Sequence, residues 1–195
     1  MRIRMAGMED LTAILSIYGQ YIDTSITFEY ALPDEAAFAA RMEGILGEYP
    51  YLICEMEGEV AGYAYAHRAM ERAAYQWNAE LSVYIDRRFT SRGIGKALYL
   101  AMLSLLQLQG VKTAYGCVTI PNEKSEGLHE RLGFRRLGVY RNAGYKSGRW
   151  WDVAWFEKPL APYGDNPEPI RPFSALPADA VEEALKPFFK FGCTS

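Results

Sequence analysis

Histidine and cysteine are scarce in this chain: His67 and His129 are the only histidines, and Cys54, Cys117 and Cys193 the only cysteines, among 195 residues. The cysteines are odd in number, widely separated and in no metal-ligand spacing. That argues against a zinc centre or a disulfide framework and for reduced thiols, with Cys54 and Cys117 in strand-like runs. Basic charge is not in excess either. Twenty-one Lys and Arg against 24 Asp and Glu give a net charge of −3 and a pI near 5.5, so nothing electrostatic favours nucleic acid or an acidic membrane surface as the main partner. No uninterrupted apolar run approaches membrane-spanning length, and Met1 to Asp10 lacks an apolar signal region; a cytoplasmic protein is expected. Internal repeats and low-complexity tracts are missing as well.

What is present is a core: half of the residues are hydrophobic, enough for one sizeable domain over 1–160. Arg2 to Met5 reads as a short strand, followed by a helix carrying Leu11, Ile14, Leu15 and Tyr18, and a second helix over 35–47 after the start signal Pro33-Asp34. Residues 51–66 read as a β-hairpin about Glu57-Gly58, and 67–78 as a loop carrying Arg68, Arg72, Tyr75 and Trp77. A strand from Glu80 leads into a long amphipathic helix. Then come a strand over 111–118, a short helix over 123–131 opened by Asn122 and closed by Gly133, and two strands over 134–141 and 151–158 enclosing a loop. This order predicts an α/β domain with a mixed sheet. Proline enrichment over 161–177 predicts an extended linker, and 178–191 a tail with one apolar helical face.

The stretch from Glu80 to Ala97 organises the rest. Its helix carries apolar Ile94, Leu98, Ala101, Leu105 and Leu108 at alternating steps of four and three, with Met102 beside them, and stops at Gly110. Backbone N–H groups in a first helical turn lack intrahelical partners and lie at the positive end of the macrodipole, so Arg92-Gly93-Ile94-Gly95-Lys96 is a candidate phosphate cradle. A strand-to-helix turn that simply needs glycine is the plainer alternative. Leu98 stands where a dinucleotide fingerprint has its third glycine, and no Gly-Lys-Ser/Thr follows, which sets aside two other phosphate motifs.

Three segments together resemble the GNAT superfamily of N-acetyltransferases, and within it the phosphinothricin and methionine-sulfone acetyltransferase branch. They are Glu80–Ile85 ahead of Arg92–Tyr99, Pro121-Asn122 through Leu128–Phe134, and Gly144–Asp152; the likeness spans about residues 2–160. It implies the GNAT fold, with a mixed, mostly antiparallel sheet flanked by helices, and acetyl-CoA as cosubstrate with no metal. The pyrophosphate would lie on the N–H groups of Ser91, Arg92, Gly93, Ile94, Gly95 and Lys96, and the pantetheine arm along Val83, Tyr84 and Ile85, with Asn122 and Ser125 as further contacts. Thr90 replaces the Gln or Arg usual three positions before the first glycine, with Arg88 or Arg92 as candidate substitutes.

The resemblance also implies roles. Glu80 aligns with the branch's general base, its strand carrying a bulge that opens a gap for the thioester. His129 takes the place of a tyrosine that protonates the departing thiolate. Cys117 has no adjacent base, so direct transfer is expected rather than an acyl-enzyme. The Val83 amide is the candidate donor to the thioester carbonyl. For an amino-acid analogue bearing a phosphinate, sulfone or sulfoximine group, Arg72, Lys146 and Arg149 are candidate cations, with Phe28, Tyr75 and Trp77 as walls. A homodimer is implied by analogy. Another amine acceptor (a protein N-terminus, an aminoglycoside or a polyamine) or a non-catalytic acyl-CoA-binding module remain alternatives.

Overall fold

The computed structural model describes residues 1–188; Phe189, Lys190, Phe191 and Cys193, which the sequence reading drew on, lie outside them. Seven strands form one sheet: β1 (Arg2–Met5), β2 (Tyr51–Met56), β3 (Glu59–Arg68), β4 (Asn78–Ile85), β5 (Thr113–Ile120), β6 (Arg135–Lys146) and β7 (Arg149–Pro159). Their order is β1-β2-β3-β4-β5-β7-β6. Every neighbouring pair is antiparallel except β4 and β5, which run parallel. The expected mixed, mostly antiparallel sheet is thus the one formed.

Side chains alternate across a strand, and here the alternation sorts two cores. Leu52, Cys54, Ala64 and Ala66 face α3 (Ile94–Gln109). Tyr51, Ile53 and Tyr63 face α1 (Leu11–Gly19) and α2 (Glu35–Glu43) on the other side. The predicted apolar stripe of α3 is buried at Ile94, Leu98, Ala101, Met102 and Leu105. Both helix ends carry glycine in the left-handed region, Gly93 at φ 83° and Gly110 at φ 93°. α4 (Glu123–Arg131) opens on Asn122, whose side chain accepts from the Ser125 amide at 3.2 Å. α2 starts where Asp34 accepts from Ala37 N–H, but it stops at Glu43 rather than at 47, giving way to tight turns through Gly44.

One expectation about the strands needs correction. The stretch 142–150 is not a loop: β6 and β7 form a long hairpin around Ser147-Gly148, both left-handed at φ 51° and 79°. That pair makes the backbone twist a two-residue hairpin turn requires. The segment after Pro159, expected as an extended linker outside the core, is extended but hydrogen-bonded to the domain along its course. Arg171 N–H donates to the Gln109 carbonyl at 2.9 Å, Ser174 N–H to Gly47 at 2.8 Å, and the Trp77 indole to Glu168 at 2.8 Å. The segment ends in α5 (Ala178–Leu185) packed on α3, with Leu185 and Phe188 buried in the same core. Among the described residues no helix is long and apolar enough to cross a membrane.

Candidate active site

The parallel pairing of β4 with β5 ends at Leu81↔Gly116. Beyond it each strand keeps its outer neighbour, β4 holding β3 as far as Ile85 and β5 holding β7 as far as Ile120. The two therefore splay, leaving the β5-facing edge of β4 without a strand partner. This splay, not a bulge, opens the sheet: the β3–β4 register runs unbroken from Gly62↔Ile85 to Arg68↔Ala79. The gap is lined by Leu81, Ser82, Val83, Tyr84, Cys117 and the facing α4 residues Ser125 and His129.

Glu80 lies at the closed end of the gap, half-buried, directly across from His67 on β3 and opposite Tyr115 on β5. Loss of solvation raises its pKa above the ordinary carboxylate value, an effect that His67 partly offsets. A carboxylate so placed is a stronger base than one in water. Its charge is felt at Tyr65, Tyr99 and Cys117. At Cys117 it adds to desolvation and pushes the thiol up, away from the thiolate an acyl-enzyme would need.

From the gap a channel of about 760 Å³ runs to the start of α3, sharing Val83, Tyr99, Asn122 and Ser125 with it. No side chain caps α3, so its first-turn N–H groups face this channel with Ser91, Gly93, Ile94, Gly95 and Lys96 around them. Ser91 adopts φ 63° and Gly93 φ 83°, turning the backbone inside out at the point where an anion would sit. These residues fit a long thin ligand with a charged diphosphate at one end.

Details of the channel depart from the sequence reading. Ile85 is engaged, its carbonyl accepting from the Tyr21 hydroxyl. Arg92 turns away to Glu57 at 2.8 Å and lies over the Phe89 ring. Arg88 is drawn to Asp86 and Glu59, at 3.0 and 2.7 Å. Neither arginine replaces the residue missing at Thr90; Arg87, Lys96, Lys124 and Arg131 supply the channel's positive charge. Lys124 and Arg131 escaped notice because they stand on α4, far along the chain from the glycine turn.

His129 is 2 % exposed. Its Nδ1 lies 2.8 Å from the Ser125 carbonyl, which can only accept, so Nδ1 carries the proton. Its Nε2 lies 2.9 Å from the Tyr99 hydroxyl. Burial lowers the His129 pKa and raises that of Tyr99. The neutral imidazole therefore accepts from the phenol, and neither ring nitrogen is a free acid. Tyr99 lines both gap and channel. The sequence places Tyr99 only at the end of the Arg92–Tyr99 segment and gives it no role; its position one turn beyond Gly95 is the available signal.

The acceptor-side candidates divide. Phe28 and Lys146 come together: the Phe28 ring lies where a side chain on Gly144 would be, and Lys146 Nζ donates to the Thr27 carbonyl at 2.6 Å. Lys146 is only 4 % exposed and its pKa is lowered by desolvation, so it ties the hairpin to the 24–33 loop rather than offering a free cation. Arg149 stacks 3.5 Å above the Trp151 ring. Trp77 holds the C-terminal strap. Arg72 and Tyr75 stand exposed on the 69–77 connection and share none of these contacts.

A sheet splayed between two parallel strands, an uncapped glycine-opened helix beside the splay and a carboxylate at its closed end define an acyl-CoA-dependent N-acyltransferase scaffold. Comparison with known proteins carries this to the family. Residues 3–155 match the acetyltransferase (GNAT) domain family, and the chain belongs to it. It is 36% identical over 178 residues to a phosphinothricin N-acetyltransferase of Streptomyces viridochromogenes, covering 89% of this chain and 95% of that one. It is 31% identical over 171 residues to an L-methionine sulfoximine/L-methionine sulfone acetyltransferase of Pseudomonas paraeruginosa, covering 85% and 98%. A phosphinothricin acetyltransferase from Sinorhizobium meliloti, solved in complex with acetyl-CoA, superposes with a TM-score of 0.82 at 33% identity over 89% of this chain and 96% of that one.

Proposed function

We propose that the protein transfers the acetyl group of acetyl-CoA directly to the α-amine of a small amino-acid analogue of the phosphinothricin, methionine sulfone or methionine sulfoximine type. The observation that carries this reading is the meeting of the channel and the β4–β5 gap beside a desolvated carboxylate. Bound there, acetyl-CoA supplies an activated thioester. The N–H groups at the start of α3 and the channel lysines hold its diphosphate; the free edge of β4 at Val83 and Tyr84 aligns its arm. Glu80, directly or through one water, takes the proton that the ammonium group must lose before it can attack. The departing thiolate takes the proton of the Tyr99 hydroxyl, which turns from His129 Nε2 to the sulfur, and the phenolate left behind recovers a proton from solvent; His129, with Nδ1 committed to Ser125 and Nε2 unprotonated, positions that hydroxyl.

A homodimer belongs to this reading. Leu137, Tyr140, Tyr145 and Trp150 are exposed on the β6–β7 hairpin, whose outer strand is a sheet edge, and a partner over that edge would cover them. Sedimentation at micromolar concentration tests it.

Thiol release from acetyl-CoA, measured across phosphinothricin, methionine sulfone, methionine sulfoximine, ordinary amino acids and polyamines, tests the reaction. Glu80→Gln is expected to lower turnover by about 10²-fold or more while calorimetry still shows coenzyme binding. A wild-type protein that binds the coenzyme yet acetylates no amine would instead be a binding module.

A further inference from the structure

Strand alternation places Tyr51, Tyr63, Tyr65 and Tyr84 on the sheet face that carries Glu80, beneath α1 and α2. Tyr63 is stacked against Tyr84 at 5.3 Å and Tyr51 at 6.0 Å between ring centroids. Packing alone would be served by phenylalanine. Tyr63 is 0% exposed, and its hydroxyl has no hydrogen-bond partner among the described residues, a cost no well-packed core needs to carry. That side chain lines a cavity of about 130 Å³ together with Tyr18, Glu29, Arg41, Tyr51 and Tyr65.

Arg41 stands at this cavity. Glu29 takes a hydrogen bond from its Nη1, and a guanidinium has five N–H donors, so others remain for a second partner. Its charge reaches the hydroxyls of Tyr18 and Tyr65. The Tyr18 hydroxyl is bonded to Thr27 Oγ1 at 2.7 Å, and the Thr27 carbonyl holds Lys146, which fixes the 24–33 loop beside the cavity. Tyr65 pairs with Ser82 across β3 and β4, making Glu80 its diagonal neighbour on the same face. The cavity is therefore one side chain removed from the carboxylate.

We propose that this cavity receives the distal group of the acceptor, and that Arg41 and Tyr63 are its specificity-determining residues for a group bearing two heteroatom acceptors on phosphorus or sulfur: a phosphinate, sulfone or sulfoximine. The proposal rests on the acetyl-transfer reading above and moves the recognition of that group from Arg72, Lys146 and Arg149 to residues already gathered on the face of Glu80. A guanidinium offers N–H donors in a fixed fork and Tyr63 offers an unspent O–H; the oxygens of such a group accept from both. A thioether of the same length leaves both unmet, and a site built to hydrogen-bond a group rejects the analogue lacking it.

The test compares methionine sulfone with methionine in two measurements: kcat/KM for acetylation, and calorimetric binding to the protein saturated with coenzyme A. In the wild type the sulfone is favoured in both. Tyr63→Phe and Arg41→Gln are expected to reduce that preference at least tenfold, through KM more than kcat, with coenzyme affinity and the thermal midpoint of Tyr63→Phe little changed. Equal binding of the two ligands by the wild type, or an unaltered preference in both variants, overturns the proposal. Sulfone binding that depends on Arg41 and Tyr63 in a protein that transfers no acetyl group would uphold it and sink the acetyl-transfer reading instead.

Discussion

The role proposed for Glu80 requires it ionised, and desolvation raises its pKa from the ordinary carboxylate value. The acid limb of kcat/KM therefore lies higher than for an exposed glutamate: activity is full above the raised pKa and falls as pH drops through it. A pH profile measured with saturating acetyl-CoA and subsaturating acceptor checks this, with Glu80→Gln removing the limb along with most of the rate. The second decisive contact at this scale is a missing atom. A Cβ on Gly116 would sit 2.2 Å from His129 Nε2, in the space through which that nitrogen meets Tyr99. Gly116→Ala forces the imidazole off its hydrogen bond; overpacking of this kind costs about 1–3 kcal/mol. Denaturant titration should show the loss, with turnover reduced more than coenzyme affinity because the channel itself is untouched.

At the scale of elements, α3 was legible before any coordinates because all of its signals are local: two bracketing glycines and an apolar stripe with no interruption. Gly93 shows what that local code enforces. Its φ is 83° and nothing lies within 4 Å of where a Cβ would be, so Gly93→Ala meets only the backbone penalty of the left-handed region, about 1–2 kcal/mol. A lower thermal midpoint should accompany weaker coenzyme binding as the turn relaxes and its N–H groups lose their aim. The β6–β7 hairpin hides from the sequence for the opposite reason. Much of β6 is exposed, and register shifts between Arg136 and Gly138 and between Tyr140 and Gly144 break the period-two pattern. The β4–β5 splay was not legible at all, since it depends on which strands keep their outer partners. The fate of two cations was equally hidden: Lys146 and Arg92 are each claimed by a partner that only the tertiary fold brings near, whereas Arg88 is held first by Asp86, two residues before it, and Glu80 was placed by its strand alone.

For the whole molecule, the boundary at residue 160 separates composition rather than structure. The shift in composition toward proline suggests an extended linker, because each proline lacks an N–H and breaks regular structure, yet the strap finds backbone partners at Gln109, Glu48 and Gly47. Gln109 reinforces it from α3, its side-chain amide donating to the carbonyls of Glu48 and Arg171 at 2.8 and 2.9 Å. α5 then packs against α3 and buries Leu185, at 3% exposure, in the same core. Since α3 also presents the cradle, stability at its far end supports geometry at the near one. Truncating a buried leucine to alanine costs about 2–5 kcal/mol, so Leu185→Ala should lower the urea midpoint markedly with little change in the slope. A chain ending at Leu160 loses Leu176, Leu185 and Phe188 together and exposes the apolar side of α3. It should unfold at still lower denaturant and bind an apolar dye before unfolding. If the shortened chain kept the full midpoint, α5 would be contributing no net stability, and the burial of Leu185 would have to be offset by the entropy of ordering the strap.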